Sequence, residues 1–251
     1  LFITALVSLF GVYFSILKYS KNYFLSTFIF ITMHFYIFLF SGLRQAIAYS
    51  IIWISLKYIK ERKLLKFLAL VLIATTFHKT AIIFLPVYFL SNKKLTHKYL
   101  IIFLIVILMT FIFKLQIFNI ITKLVYGNYA AIQNGGGYKL LLLLIIIFVG
   151  SLYILYKKNN KEEQEQNNIW LNMLLIGILV QTLASIEGNI ARLTMYFEYS
   201  IIFLIPNIIE EIDDKKIRIF LKCIVYILLT VYFVISIQNS TSYIPYKMFM
   251  F

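Results

Sequence analysis

The sequence predicts an all-α protein, a polytopic bundle of transmembrane helices. Three observations predict it. The 251 residues are 62% hydrophobic and only 14% charged, more apolar surface than a water-soluble core of this size could hide. Apolar stretches recur along the whole length, at roughly the 17–25 residues a spanning helix needs. Basic residues collect in short loops between them, as cytoplasmic loops of membrane proteins do.

The first stretch, 1–17, ends at Lys18 and Lys21, and the second covers 23–40. The third, 43–57, opens within SGLRQAIAYS and closes on Lys57, Lys60, Arg62, Lys63 and Lys66. Stretches 64–77 and 80–91 flank His78 in TTFHKTAIIF. Each is too short for a hydrocarbon core of about 30 Å at about 1.5 Å per residue. Stretch 99–113 follows Lys93, Lys94 and Lys98, and 139–156 leads into a polar loop, 157–168, with Lys157, Lys158 and Lys161. Stretches 169–187 and 190–209 come next, and 220–238 follows Lys215, Lys216, Arg218 and Lys222. The expectation is one integral membrane domain over 1–251, with about eight spans and a short half-helix pair at 64–91. Residues 114–138 read as an external loop carrying a short interfacial helix (115–126) before GNYAAIQNGGGYK. The chain opens on Leu1, so a further N-terminal segment is expected to precede it. No charged leader with a cleavage site marks a secretory signal.

Charge decides how 64–91 is threaded. If it is a hairpin, 17 of the 24 Lys and Arg fall on one side and 7 on the other. If it is a single span, everything after it changes sides, Lys79 is left in the membrane, and the count becomes 12 against 11. The positive-inside rule selects the hairpin, entered from the cytoplasm, with His78 at its outer turn. Irregular backbone at that depth must be buried in protein or line a wet cavity, and Pro86 fits a packed, broken segment. Gly42, Ala46 and Ser50 form a small-residue stripe for close helix contact, with Arg44 facing another way.

A net charge of +14 would suggest nucleic acid in a soluble protein; here loop lysines explain it. The single Cys223 excludes an internal disulfide and any CxxC site. His34, His78 and His97 are too scattered for an H-E-x-x-H site, and no D-x-D occurs, so metal-independent chemistry without a cofactor is expected. The triple glycine lacks the GK[ST] helix of a phosphate loop and reads as a flexible turn.

Nearly all carboxylates lie on the cytoplasmic side, leaving Arg44, His78, Lys79, Glu187 and Arg192 with loop lysines outside. An ionisable residue near membrane depth marks a functional site by default. Guanidinium forks match phosphate oxygens, so an outer pocket rich in fixed positive charge suits an anionic ligand such as a lipid pyrophosphate. Arg44 and Arg192 equally read as snorkelling helix-end residues, Lys79 as an interfacial anchor, and His78 as a core histidine bonded to a carbonyl. The rival role for His78 is general base. Gln45 and Glu187 stand beside these as candidate substrate contacts. Glu198, two turns beyond Arg192, is expected to pair with a buried cation. Gln181 and Ser185 read as helix–helix hydrogen bonding, and Trp53 and Trp170 as packing or belt residues.

The stretch SGLRQAIAYSIIWISLKYIKERKLLKFLALVLIATTFHKTAIIFLP resembles the signature of the EpsG family, related to Wzy-type polymerases of exopolysaccharide, capsule and O-antigen. The shared features are Arg-Gln-Ala at a helix start, a basic turn, and Ala-x-x-Phe-His-x-Thr-Ala at the next outer turn. VYGNYAAIQNGGGYKL and ARLTMYFEYSIIFLIP resemble that family's later segments, whereas its first span and following outer segment find no counterpart. The resemblance implies a glycosyltransferase-C-like bundle in the bacterial cytoplasmic (inner) membrane. It would polymerise undecaprenyl-pyrophosphate-linked repeat units at the outer leaflet, among membrane lipid and other polysaccharide-assembly proteins. Arg44 and Arg192 would hold the pyrophosphate and His78 would accept the proton of the attacking sugar hydroxyl. A lipid-carrier glycan ligase stays open, as does a lipid-linked-oligosaccharide flippase or transporter, which broken helices favour and the lack of repeat symmetry disfavours.

Overall fold

The computed structural model describes residues 2–126, 137–158, 161–186 and 190–238, and among them all regular structure is helical. In chain order the helices are α1 (Phe2–Tyr19), α2 (Tyr23–Thr32), α3 (Phe35–Ser41), α4 (Leu43–Lys60) and α5 (Leu64–Phe77). A 3-10 turn (Lys79–Phe84) leads to α6 (Val87–Leu90), α7 (His97–Ile112) and α8 (Lys114–Tyr126). The second half holds α9 (Tyr138–Lys158), α10 (Lys161–Ala184), α11 (Ala191–Glu198), α12 (Ile201–Glu210) and α13 (Lys215–Gln238). Tyr138–Lys157, Glu162–Ala184 and Lys215–Gln238 are each long and apolar enough to cross a membrane, and up to five spans result if two bent helix pairs each count as one. The chain is a multi-pass helical membrane protein. Thr4–Tyr19, Leu64–Phe77 and Lys79–Leu90 are apolar but shorter.

The chain doubles back at His78. The ring of Phe67, early in α5, lies 6.2 Å from Phe84 and 5.2 Å from Tyr88, so the segment after His78 runs back along α5. Consequently the basic loops meet at one end of the bundle. Lys60 lies over the Trp170 ring at 5.1 Å, Asn172 Nδ2 donates to the Lys93 carbonyl at 2.9 Å, and Lys94 pairs with Glu165 at 3.5 Å. Lys21 pairs with Glu211, and Asn22 donates to Glu210 at 2.7 Å. Residue 44 stands 16 residues along α4 from Lys60, about 24 Å at about 1.5 Å per residue, at the opposite end.

Small residues set the tightest contact. A Cβ on Gly11 would sit 2.6 Å from Ser50 Oγ and 2.8 Å from Ser50 Cα, so α1 and α4 touch backbone to backbone there. Ser50 Oγ donates back to the Ser8 carbonyl at 2.9 Å.

Four predicted stretches are corrected. The stretch 23–40 breaks at His34, whose φ of 63° is left-handed, and α3 leaves α2 bent by 54°. The stretch 190–209 breaks at Tyr199 and Ser200. Pro206 inside α12 has no N–H for the Ile202 carbonyl, which accepts from Ser26 Oγ at 2.7 Å instead. The stretch 80–91 is a 3-10 turn followed by one α-turn, because Pro86 starts α6 without an N–H to continue the preceding turn. The polar loop 157–168 is in large part the start of α10, whose first turn carries Glu162 and Glu163 against the helix dipole. The stretch 115–126 is helical as α8, turned 80° from α7 at Phe113. Of the triple glycine, Gly135 and Gly136 lie outside the described residues, as does Glu187, while Gly137 is described with a left-handed φ of 103°.

Candidate functional site

At the end opposite the basic loops, three elements converge: the start of α4, the turn at His78 and the start of α11. Gly42 precedes α4, and Arg44 is its second residue, exposed, while Gln45 and Tyr49 face inward one turn apart. Arg192 is likewise the second residue of α11 and exposed, and Tyr196, one turn on, is buried. Both guanidiniums therefore stand on a helix first turn, where the macrodipole also favours an anion.

His78 joins α5 to the 3-10 turn in extended conformation (φ −147°, ψ 112°), with its N–H still bonded to the Ala74 carbonyl at 3.0 Å. Its ring is part-exposed, and Nδ1 lies 2.6 Å from Thr80 Oγ1. Thr80 Oγ1 in turn lies 3.3 Å from the Tyr196 hydroxyl. Arg44 and Arg192 both lie close enough to act on the His78 ring by charge. Three residues from three distant stretches thus share one neighbourhood, and among the described residues no carboxylate acts on the His78 ring.

Beneath them a polar lattice fixes the elements to one another. Gln45 Nε2 donates to the Tyr49 hydroxyl at 2.7 Å and to the Arg192 carbonyl at 3.0 Å. Tyr49 donates to the same carbonyl at 2.6 Å, and its ring meets that of Tyr196 edge-on at 4.3 Å between centroids. Both amide hydrogens of Gln45 are used inside the protein, and the residue is only 3% exposed. Lys79 is exposed at the start of the 3-10 turn.

Glu198 departs from expectation. It is 3% exposed, Oε1 has no hydrogen-bond partner, and among the described residues no ion pair reaches it. The break after α11 turns it inward among tyrosines, close enough to act by charge on Tyr49, Tyr199 and Tyr232, and not toward a basic side chain. A little apart, Gln181 Nε2 donates to the Gly137 carbonyl at 3.1 Å, where a left-handed φ of 103° favours glycine. Lys114 Nζ donates to Ser185 Oγ at 3.1 Å and to the Tyr138 hydroxyl at 3.0 Å, closing α8 onto α9 and α10. Among the described residues no three His, Cys, Asp or Glu side chains gather within metal-binding reach.

The model of the EpsG family matches residues 1–248. The chain belongs to the EpsG family. No curated protein and no solved structure matches it. Membership makes it a membrane protein of a polysaccharide-related, Wzy-like polymerase-associated family. In this EpsG-family chain the sequence pointed to Arg44, His78 and Arg192, which the fold brings together. It missed Tyr49, Thr80 and Tyr196. Their signal was spacing: Gln45 with Tyr49 and Arg192 with Tyr196 are four apart on one helical face, and Thr80 sits two residues beyond His78.

Proposed function

We propose that this EpsG-family protein is a metal-independent glycosyltransferase that polymerises undecaprenyl-pyrophosphate-linked glycan at the outer leaflet of the bacterial cytoplasmic membrane. The observation that carries the reading is the gathering of Arg44, Arg192 and His78 at the carboxylate-poor end of the bundle. That end is the outer one if the basic loops face the cytoplasm. An arrangement of about eight spans and a glycosyltransferase-C-like plan belongs to the same reading.

The chemistry follows from the residues. Arg44 and Arg192 grip the pyrophosphate that carries the growing chain, and charge-assisted forks strengthen as the leaving group gains negative charge. A sugar hydroxyl oxygen of the incoming unit bonds to the anomeric carbon. The bond from that carbon to the pyrophosphate oxygen breaks, and the lipid pyrophosphate leaves with the electron pair. The hydroxyl proton goes to His78. With Nδ1–H donated to Thr80, Nε2 keeps its lone pair for that proton. Gln45 acts through Arg192, holding its backbone in place, and Lys79 adds charge at the rim. Glu187 remains a proposed substrate contact.

The test is the length distribution of lipid-linked glycan in cells carrying Arg44→Ala, Arg192→Ala or His78→Ala, at matched protein levels in the membrane. Single repeat units and no ladder are expected. Long polymer retained in Arg44→Ala and His78→Ala would refute the reading. Long polymer accumulating on the carrier would assign the protein to ligation instead.

A further inference from the structure

A second gathering of cations lies at the basic end of the bundle, away from His78. Many charges there have an opposite partner: Lys21 with Glu211, Lys57 and Lys63 with Glu61, and Arg218 and Lys222 with Glu210. Among the described residues Lys18 and Lys60 make no ion pair, yet both lie on one aromatic ring. Lys18 Nζ is 5.5 Å from the Tyr19 ring centroid, and Lys60 Nζ is 4.6 Å from it and 5.1 Å from that of Trp170. Each ammonium lies within electrostatic reach of a like charge, Lys60 of Lys18 and Lys18 of Lys57. Glu61 also reaches Lys18, but its carboxylate is already hydrogen-bonded to Lys63 at 2.8 Å.

Like charges so placed repel, and an exposed cation–π contact offsets that repulsion only weakly. The ring under them is fixed, edge-on to Trp170 at 5.5 Å and to Phe203 at 5.9 Å. The Tyr19 hydroxyl at its edge is buried and has no hydrogen-bond partner. Two ammoniums without an ion pair among the described residues and a spare hydroxyl donor, held on a rigid aromatic floor, form a receptor for a phosphate oxygen. Directly along α1 from Lys18, Phe10, Phe14 and Leu17 present exposed apolar side chains, a track for acyl chains. Anionic headgroups of the cytoplasmic leaflet are drawn to such basic clusters beside helix ends.

We propose that Lys18, Lys60 and the Tyr19 hydroxyl hold the phosphate of an anionic phospholipid of the phosphatidylglycerol class, with its chains lying along α1. The site is separate from the His78 neighbourhood and does not depend on what is catalysed there.

Native mass spectrometry of the purified full chain, offered equal phosphatidylglycerol and phosphatidylcholine, tests this. The expected result is retention of phosphatidylglycerol several-fold above phosphatidylcholine, falling to parity in Lys18→Gln/Lys60→Gln and kept in Lys18→Arg/Lys60→Arg. Lys93→Gln/Lys98→Gln, a charge-matched control at the same end, should leave the preference unchanged. A preference that survives in the double Gln variant, or that the control removes equally, overturns the site. Millimolar inorganic phosphate displacing the lipid in full overturns the lipid as its occupant. Photocrosslinking with a phosphatidylglycerol probe on the unsubstituted protein reads the same site without any variant. Label on residues 10–20 supports it, and label only elsewhere overturns it.

Discussion

The hydroxyl of Tyr49 on α4 donates to the main-chain carbonyl of Arg192 on α11 at 2.6 Å, alongside Gln45 at 3.0 Å. Two side chains from one helical face thereby fix the height and rotation of the turn that presents the Arg192 guanidinium. These bonds tie the start of α11 to α4, the helix that also carries Arg44. In Tyr49→Phe the carbonyl keeps Gln45, but the bond from Tyr49 to that carbonyl and the bond from Gln45 to the Tyr49 hydroxyl are both lost, roughly 1–3 kcal/mol together. Chain elongation should fall several-fold with normal membrane levels, and further in Tyr49→Phe/Gln45→Leu, where the carbonyl loses both donors. Glycan ladders identical to wild type in the double variant would show that the clamp does not position Arg192.

Arg44→Lys and Arg192→Lys separate anion binding from snorkelling. Lysine keeps the charge and the apolar stem but has no planar fork. If the guanidiniums grip a pyrophosphate in two-pronged fashion, each change should lower elongation roughly tenfold or more, about 1.4 kcal/mol per factor of ten. If they only reach for the interface, lysine serves equally well and the ladders stay unchanged.

Thr80 offers a test of how His78 is held. Its hydroxyl stands 2.6 Å from Nδ1 and 3.3 Å from the Tyr196 hydroxyl, so it accepts on one side and donates on the other. Thr80→Val keeps the shape and removes both bonds, freeing the ring to take the other tautomer. Elongation should drop roughly tenfold, the order of a mispositioned base, and Thr80→Ser should restore most of it. Equal activity of the Val and Ser variants would leave Thr80 a packing residue.

Much of the site was legible because charge is conspicuous in an apolar chain. Arg44, His78 and Arg192 each interrupt hydrophobic sequence, and counting basic loops folded 64–91 back at His78, which the packing of Phe67 on Phe84 and Tyr88 bears out. The partners were not legible for the same reason. Tyr49 and Tyr196 count as apolar in any hydropathy window, and their hydroxyls matter only once α4 and α11 cross. The helix breaks at His34 and Tyr199 also escaped. No glycine or proline announces either one, and Phe35 packs its ring on Tyr199 at 4.5 Å, so each break is stabilised by tertiary contact with the other. Glu198 misled because a carboxylate in an apolar helix suggests a cation, whereas the fold surrounds it with tyrosines.

Glu61 carries a pH dependence of known sign. It follows α4 in a solvated turn, where the hydrogen bond from Lys63 holds its carboxyl below the usual carboxylate range. The stabilisation is therefore present above the unfolded carboxylate's value and is lost as pH falls through the folded value. Solvent screening at this surface turn keeps it small. Thermal unfolding of wild type and Glu61→Gln should differ slightly at pH 7 and converge below about pH 4. A difference that grows on acidification would contradict the pairing.

Gly11 is the position where the fold has least room. A Cβ would stand 2.6 Å from Ser50 Oγ and 2.8 Å from Ser50 Cα, and the second contact is to backbone, which no rotamer change relieves. Gly11→Ala must push α1 off α4 and strain the bond from Ser50 Oγ to the Ser8 carbonyl. Overpacking of this kind costs roughly 1–3 kcal/mol, outweighing the gain of about 0.5–1 kcal/mol from replacing glycine in a helix. Gly11→Ala should therefore unfold at lower temperature in detergent, and Gly11→Val lower still. Ser50→Gly in the Gly11→Ala background removes Oγ and Cβ but not Cα, so it should recover part of the loss. A Gly11→Ala protein as stable as wild type would mean that α1 and α4 do not meet at this distance.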